Sequence, residues 1–239
     1  MILYATLAIC ALGAAVLVYR YDLYDREPLP LVVLVIGLGA LAMGLAGRVE
    51  LFVFERLRLE APAAQAAVAS FVEETGKLVA VLAVALLARR AADDPMDGLI
   101  YGSLAGLGAA LEEGVAVLRA LPSGTSWLPP EELVRLCGHL VMGGLAGFGV
   151  GRARRRDAGW PGALAFGFVC ALVLHFCWDT LSLQAAHFPE GPSRPALLGA
   201  ALMLGGLLLY GRLVVVASGW SQQVFAPGGT GRPRSPRPR

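Results

Sequence analysis

Apolar residues occur along the whole chain in runs of roughly 20, separated by short polar segments. A helix needs about 20 apolar residues to cross a bilayer. Only helices and closed barrels satisfy the backbone in lipid, and these runs are too long for barrel strands. The pattern therefore predicts an all-α, polytopic transmembrane helical bundle of about seven helices. We place them at about residues 1–19, 29–48, 63–88, 98–118, 133–151, 161–181 and 195–217.

Prolines mark most junctions between the predicted helices, as expected of a residue that starts a helix well and cannot continue one. The second helix can run on as an amphipathic segment to Glu60. Residues 226–239 are mainly Pro, Gly and Arg, with too few apolar residues to pack. We predict one transmembrane domain over residues 1–218 and a disordered basic cytoplasmic tail over 219–239, attracted to anionic lipid.

The composition excludes an ordinary soluble domain. Of the 239 residues 56% are hydrophobic, and the mean hydropathy is +0.64. A net charge of +2 gives no reason to expect a nucleic-acid partner. The N-terminus lacks the basic segment of a secretion signal, so we expect the first helix to be retained. All four cysteines lie in apolar runs, where they behave as small hydrophobes, and predict no disulfide.

The most unusual segment is Glu73-Glu74-Thr75-Gly76-Lys77, inside the apolar run of residues 63–88. Charged groups at membrane depth are costly and usually mark a functional site. Lys77 is the only lysine of the chain, and on a helix it can reach both glutamates. One glutamate can stay ionised beside Lys77 while the other keeps its proton, so that an acid and a base coexist. The alternative is a buried ion cluster that only fixes helix register.

Two other predicted helices carry a histidine in an apolar setting. His139 is followed by glycines at residues 143, 147 and 151, so the imidazole shares a helix face with a glycine groove. That groove can pack against another helix or hold an extended peptide. His175 lies four residues before Asp179, whose carboxylate can orient the imidazole. His187, in the following loop, is given no role.

Glu112 and Glu113 lie near the end of the fourth predicted helix. Adjacent residues of a helix point about 100° apart, so only one of the two is expected to face the bundle interior. The other is expected near an interface, where a charge costs little.

These residues together resemble the PrsW family of intramembrane proteases. The resemblance covers residues 22–179, and its paired glutamates and helical histidines are also similar to the CAAX prenyl endopeptidase superfamily. The motifs are Asp22-x-Tyr24-Asp25-x-Glu27-Pro28, Glu73-Glu74-x-x-Lys77, Asp97-Gly98-x-x-Tyr101-Gly102, Glu113, His139-x-x-x-Gly143 and His175-x-x-Trp178-Asp179.

The resemblance implies an intramembrane endopeptidase that cuts single-pass membrane proteins, as the family does with anti-sigma factors. The catalytic set that it implies is Glu73, Glu74, His139 and His175. Lys77, Glu113 and Asp179 are the implied supporting residues. One departure is Gly114, where the family commonly has asparagine after the glutamate, so any role of that amide is lost or replaced.

Peptide hydrolysis needs an activated water and stabilisation of the oxyanion, which a glutamate and a histidine can supply. The chain lacks the His-Glu-x-x-His signature of many zinc proteases. Zinc remains possible, with His139 and His175 as ligands together with Glu113 or Asp179. Glu73 or Glu74 would then be the general base. We favour glutamate catalysis without a metal.

Two other classes of protein also place charges inside a helical bundle. A proton-coupled transporter is one, although the chain lacks the duplicated halves common in transporters. The other is a non-catalytic membrane scaffold or sensor, and the presence of every candidate catalytic position counts against it. The sequence does not determine the oligomeric state.

The arginines are distributed unevenly between the two faces of the bundle. With seven helices, one face receives residues 20–28, 89–97, 152–160 and 212–239, which carry thirteen of the nineteen arginines. The positive-inside rule makes that face cytoplasmic and leaves the N-terminus outside. In a bacterial plasma membrane the polar residues of the helices would then meet in the outer half of the bilayer. We therefore expect cleavage near the extracytoplasmic surface.

Overall fold

A computed structural model of the protein describes residues 1–21, 26–88, 94–154, 159–185 and 194–225. This part of the chain forms seven α-helices and no strands, so the all-α prediction is confirmed together with all seven predicted helices. The helices are α1 (Ile2–Tyr19), α2 (Leu29–Leu57), α3 (Pro62–Leu87), α4 (Pro95–Ala120), α5 (Pro130–Arg154), α6 (Trp160–Ala185) and α7 (Arg194–Phe225).

The helix boundaries follow local signals in the sequence. Proline occupies the first turn of α2, α3 and α4. At the start of α4, Asp94 forms a capping box: its carboxylate accepts from the amide of Met96, and its own amide donates to Asp97 Oδ2. The extension of α2 beyond residue 48 is present and ends at Leu57, with Arg58 in the left-handed conformation.

The end of α7 differs from the predicted domain boundary. The helix continues to Phe225, so the boundary placed at residue 219 falls inside α7. Residues 226–239, which hold most of the predicted tail, lie outside the described residues.

Among the described helices, five are long and apolar enough to cross a membrane. They are α1, α2, α5, α6 and α7, and most of them expose large apolar residues such as Leu12, Leu41, Val173 and Leu208. The other two, α3 and α4, are equally long but carry charged residues that are buried within the bundle. This arrangement is that of an integral membrane protein whose polar groups face inward.

Helices α4 and α5 meet backbone to backbone along the glycine face of α5. A Cβ atom added to Gly102 would lie 2.1 Å from the carbonyl oxygen of Gly143, and one on Gly106 would lie 1.9 Å from that of His139. Only glycine permits this approach. Of the two uses expected for the glycine groove, helix packing is therefore the correct one, because α4 fills the space that a peptide would need.

Candidate active site

Four helices bring their polar side chains into one cluster. Glu73, Glu74 and Lys77 come from α3, and each of α4, α5 and α6 adds further members. Contacts connect all seven residues that the sequence singled out as catalytic or supporting. The remaining four are Glu113 on α4, His139 on α5, and His175 and Asp179 on α6.

Glu74 lies at the buried end of this cluster. It is fully buried, and its Oε1 atom accepts hydrogen bonds from Lys77 Nζ and from His175 Nδ1, the latter at 2.7 Å. An ionised carboxylate can only accept hydrogen bonds, so His175 must carry a proton on Nδ1. Glu74 therefore fixes the tautomer and the orientation of His175.

Lys77 fixes the second histidine in a similar way. Its Nζ atom lies 2.9 Å from Nδ1 of His139. An ammonium group can only donate, so Nδ1 of His139 is the acceptor and the ring proton is on Nε2. That Nε2–H donates to Oε2 of Glu113 at 2.9 Å. The two imidazoles pack edge to face, with centroids 5.3 Å apart.

The Nε2 atom of His175 faces two carboxylates. Asp179 Oδ2 lies 3.3 Å away, so the contact predicted from the spacing of four residues is present. Glu73 Oε2 lies 3.6 Å away and has no hydrogen-bond partner in the described ranges. Glu73 therefore has a buried oxygen beside His175 that no donor of the described residues holds.

A cavity of about 670 Å³ adjoins this cluster. Glu73, Glu113, His139 and Asp179 line it, whereas Glu74 and Lys77 lie behind its wall. The small residues at positions 66 and 69 of α3 share the face of Glu73 and leave room for the cavity. The two adjacent glutamates therefore occupy different environments, one beside open space and one inside an ion pair.

The cavity lies at one end of the bundle. Phe54 and Leu183, near the ends of α2 and α6, line it together with Glu131 and Pro195, at the starts of α5 and α7. These helix ends all belong to the face that carries the α2–α3, α4–α5 and α6–α7 connections. A substrate would thus enter the site from that face.

Two residues of the site, Arg135 and Glu50, were not predicted from the sequence. Arg135 pairs with Glu113 at 3.0 Å and with Glu132. Its position four residues before His139 was the available signal. Glu50 of α2 also lines the cavity, and no motif pointed to it.

Glu112 and Glu113 separate as their helical spacing predicts. Glu113 enters the site, whereas the carboxylate of Glu112 lies against α2, 3.5 Å from where a Cβ of Gly44 would be. All four cysteines are free, in agreement with the prediction of no disulfide.

Three of the buried residues could hold a metal ion. Glu73, His139 and His175 each offer a ligand atom, and the three atoms lie within 4.8 Å of one another. Two imidazoles and a carboxylate are donors that suit zinc. The zinc site expected from the sequence used Glu113 or Asp179 instead of Glu73. In the described residues it is Glu73 that groups with the two imidazoles, whereas Glu113 and Asp179 each contact one of them.

A comparison with known families gives one match. The sequence pattern described as PrsW family intramembrane metalloprotease matches residues 27–210, which include every residue of the cluster. The chain belongs to the PrsW family. A search of curated proteins gives no match, and neither does a search of solved structures. Membership in the PrsW family shows a membrane-embedded protease, and the family's description implies a metal.

Of the other PrsW motif residues, Trp178 adjoins the cavity, whereas those at the start of α4 lie away from it. Gly98 and Gly102 allow α4 to contact α5, and Asp97 belongs to the capping box. Trp178 lines the cavity and packs on Gly199 of α7. The motif residues at positions 22, 24 and 25 lie outside the described residues.

Proposed function

We propose that this protein hydrolyses a peptide bond of a single-pass membrane protein in the cavity, with Glu73 acting on the attacking water. The observation that supports this most directly is the place of Glu73 in the cavity lining, with an Oε2 atom that has no hydrogen-bond partner in the described residues and lies 3.6 Å from Nε2 of His175. Membership in a protease family favours hydrolysis over the transporter and scaffold alternatives.

In the proposed reaction, Glu73 takes a proton from water, and the water oxygen attacks the carbonyl carbon. The Nε2–H of His139 lies at the cavity and can turn from Glu113 to the developing oxyanion. When the C–N bond breaks, Glu73 returns its proton to the leaving amine. Glu74 and Lys77 take no part in proton transfer; they hold the two imidazoles in place.

The metal implied by the family name would be held by Glu73, His139 and His175. A zinc ion there would polarise the scissile carbonyl as a Lewis acid. We favour hydrolysis without a resident metal because both ring nitrogens of His139 already contact protein atoms. Lys77 occupies Nδ1 and Glu113 occupies Nε2, and an ammonium group beside the ligand atom repels a second cation.

The expected substrates are anti-sigma-factor-like proteins with one transmembrane segment in the plasma membrane. The cavity opens at the face that carries only six of the nineteen arginines. By the positive-inside rule this face is extracytoplasmic. Cleavage would therefore occur near the outer end of the substrate's membrane segment.

The test begins with a comparison of membrane proteins from cells with and without the gene, to find one that is processed only when the gene is present. That protein is then incubated in liposomes with purified wild type, Glu73→Gln and Glu112→Gln. We expect the wild type and Glu112→Gln to cut it and Glu73→Gln to be inactive, since Glu112 lies against α2. Cleavage by Glu73→Gln at the wild-type rate would contradict the proposal.

A further inference from the structure

Arg135 forms a bridge between two carboxylates on different helices. Its Nε atom lies 3.0 Å from Oε1 of Glu113 on α4, and its Nη1 atom contacts Oε1 of Glu132, one turn earlier on α5. The Arg135 side chain is 21% exposed and lines the cavity. A planar guanidinium is suited to such a double contact, because its donors have fixed directions.

Arg135 and His139 hold the same carboxylate from two sides. They lie one turn apart on α5. Arg135 contacts Oε1 of Glu113, and His139 donates to Oε2 of the same carboxylate at 2.9 Å. The Glu113 side chain is 34% exposed, so the bundle packs around it only in part. Arg135 therefore helps to fix Glu113, which contacts Nε2 of His139, while Lys77 holds Nδ1 of the same ring.

Glu132 anchors the other end of the guanidinium. It is almost completely buried, and its Oε2 has no hydrogen-bond partner in the part of the chain that the structure describes. The space for it comes from Gly114: a Cβ there would lie 2.9 Å from Oε2 of Glu132 and 3.0 Å from Leu7. Gly114 is also where the resemblance placed an asparagine in related chains. In this chain the carboxylate of Glu132 lies beside Gly114 and is paired with Arg135.

We propose that Arg135 is a positioning residue for hydrolysis. Glu132 anchors the guanidinium, and Arg135 holds Glu113 against Nε2 of His139. The inference rests on the proposed function, because it assigns a role in the same reaction. Arg135 acts through Glu113 and His139 and transfers no proton itself.

The first experiment compares Arg135→Gln with Arg119→Gln in liposomes, using the processed membrane protein as substrate. Arg119 is an exposed arginine in the last turn of α4, on the same face of the bundle. We expect Arg135→Gln to lower kcat about 100-fold with little change in KM, as small misplacements at a catalytic site do. Arg119→Gln should leave both constants unchanged. Arg135→Lys should recover part of kcat, since an ammonium group can pair with Glu113 but cannot reproduce the fork.

A second experiment separates positioning from charge compensation. Arg135→Gln alone leaves Glu132 as a buried charge without its cation, so it also lowers the melting temperature. The double variant Glu132→Gln with Arg135→Gln removes that imbalance. We expect it to recover the melting temperature but not kcat. Recovery of both would overturn the inference, because Arg135 would then serve only as a counter-ion.

Failure of this inference can be distinguished from failure of the proposed function. If the wild type cuts the substrate, Glu73→Gln does not, and Arg135→Gln retains wild-type kcat, the positioning role is wrong and the protease function stands. If Glu73→Gln cuts as fast as the wild type, the proposed function fails whatever Arg135→Gln does.

Discussion

Oε1 of Glu74 lies 2.7 Å from Nδ1 of His175, although the two residues are 101 positions apart in the chain and lie on different helices. The same oxygen pairs with Lys77, so one buried carboxylate connects a lysine of α3 to a histidine of α6. The adjacent Glu73 points to the cavity instead. Of the two glutamates in this motif, Glu73 therefore faces the cavity, and Glu74 holds Lys77 and His175 in position.

The first prediction contrasts these two glutamates. Glu73→Gln should lower the cleavage rate at least 100-fold, the lower end for loss of a general base, while the melting temperature in detergent changes little. Glu74→Gln should abolish cleavage and also destabilise the fold by about 3–5 kcal/mol, because it leaves Lys77 as a buried charge without its carboxylate. Cleavage assays and thermal melting of both variants check this contrast.

The control for Glu74 is a double variant, Glu74→Gln with Lys77→Met. Removing both charges should restore much of the melting temperature, since partners in one buried pair are not additive. Cleavage should stay lost because His139 no longer has its donor at Nδ1 and His175 no longer faces an ionised carboxylate. Equal melting temperatures for Glu73→Gln and Glu74→Gln would show that the two glutamates do not differ as described.

The overall fold could be predicted because each apolar run is long enough to span a bilayer and is bounded by proline or polar residues. The clustering of Glu73, His139 and His175 also followed, since helices that alternate in direction bring these positions to one level. The different roles of Glu73 and Glu74 could not be predicted from the sequence. Adjacent helical residues point about 100° apart, and the rotation of α3 against its neighbours decides which one meets the cavity.

Other features of the site depend on distances of a few ångströms between helices. Such distances decide that Glu73, and not Glu113 or Asp179, groups with the two histidines as a possible metal ligand. Arg135 was missed because its partner Glu113 lies on another helix, so the pairing has no sequence signature. Its spacing of four from His139 places it on the right face but does not name the carboxylate that it contacts.

The second prediction concerns the contact between α4 and α5. Gly102→Ala would place a Cβ 2.1 Å from the carbonyl oxygen of Gly143, where backbone atoms cannot move aside. The helices must separate, which should destabilise the fold by about 1–3 kcal/mol. It should also lower cleavage, because Glu113 and His139 meet across this same helix pair. Thermal melting and cleavage assays in parallel measure both effects.

Gly37→Ala on α2 is the matched control, since a Cβ there has no atom within 4 Å. We expect this variant to keep full activity and to be as stable as the wild type or slightly more stable, because alanine is the better helix former. If Gly102→Ala behaved in the same way as Gly37→Ala, the close approach of α4 and α5 would be incorrect.

The third prediction addresses the metal. We expect purified protein to keep its activity in a strong, membrane-permeable chelator, and elemental analysis to find much less than one zinc per chain. The reason is that Lys77 and Glu113 already occupy both nitrogens of His139. One zinc per chain, lost together with activity and restored by adding zinc, would make Glu73, His139 and His175 its ligands. Lys77→Met would then be expected to raise zinc affinity.

The last prediction concerns the orientation of the protein in the membrane. The ends of α2, α4 and α6 and the starts of α3, α5 and α7 share one face, and the cavity opens there. The sequence predicts thirteen of the nineteen arginines on the opposite face, so that face should be cytoplasmic. A C-terminal fusion to alkaline phosphatase, which folds only outside the cytoplasm, should therefore be inactive. A fusion placed after residue 124, in the α4–α5 connection, should be active.

The position of the cleaved peptide bond in the substrate is a second test of the orientation in the membrane. Glu73 lies about eleven residues from the start of α3, or about 16 Å along the helix, which is roughly half of the hydrocarbon thickness. Since the cavity extends from that depth to the helix ends, only the outer half of a substrate's membrane segment can reach Glu73. Sequencing the new N-terminus of the cytoplasmic fragment should place the cut in that half. A cut near the cytoplasmic surface would mean that substrate reaches Glu73 from the other face, against the position of the cavity lining at the α2–α3, α4–α5 and α6–α7 side.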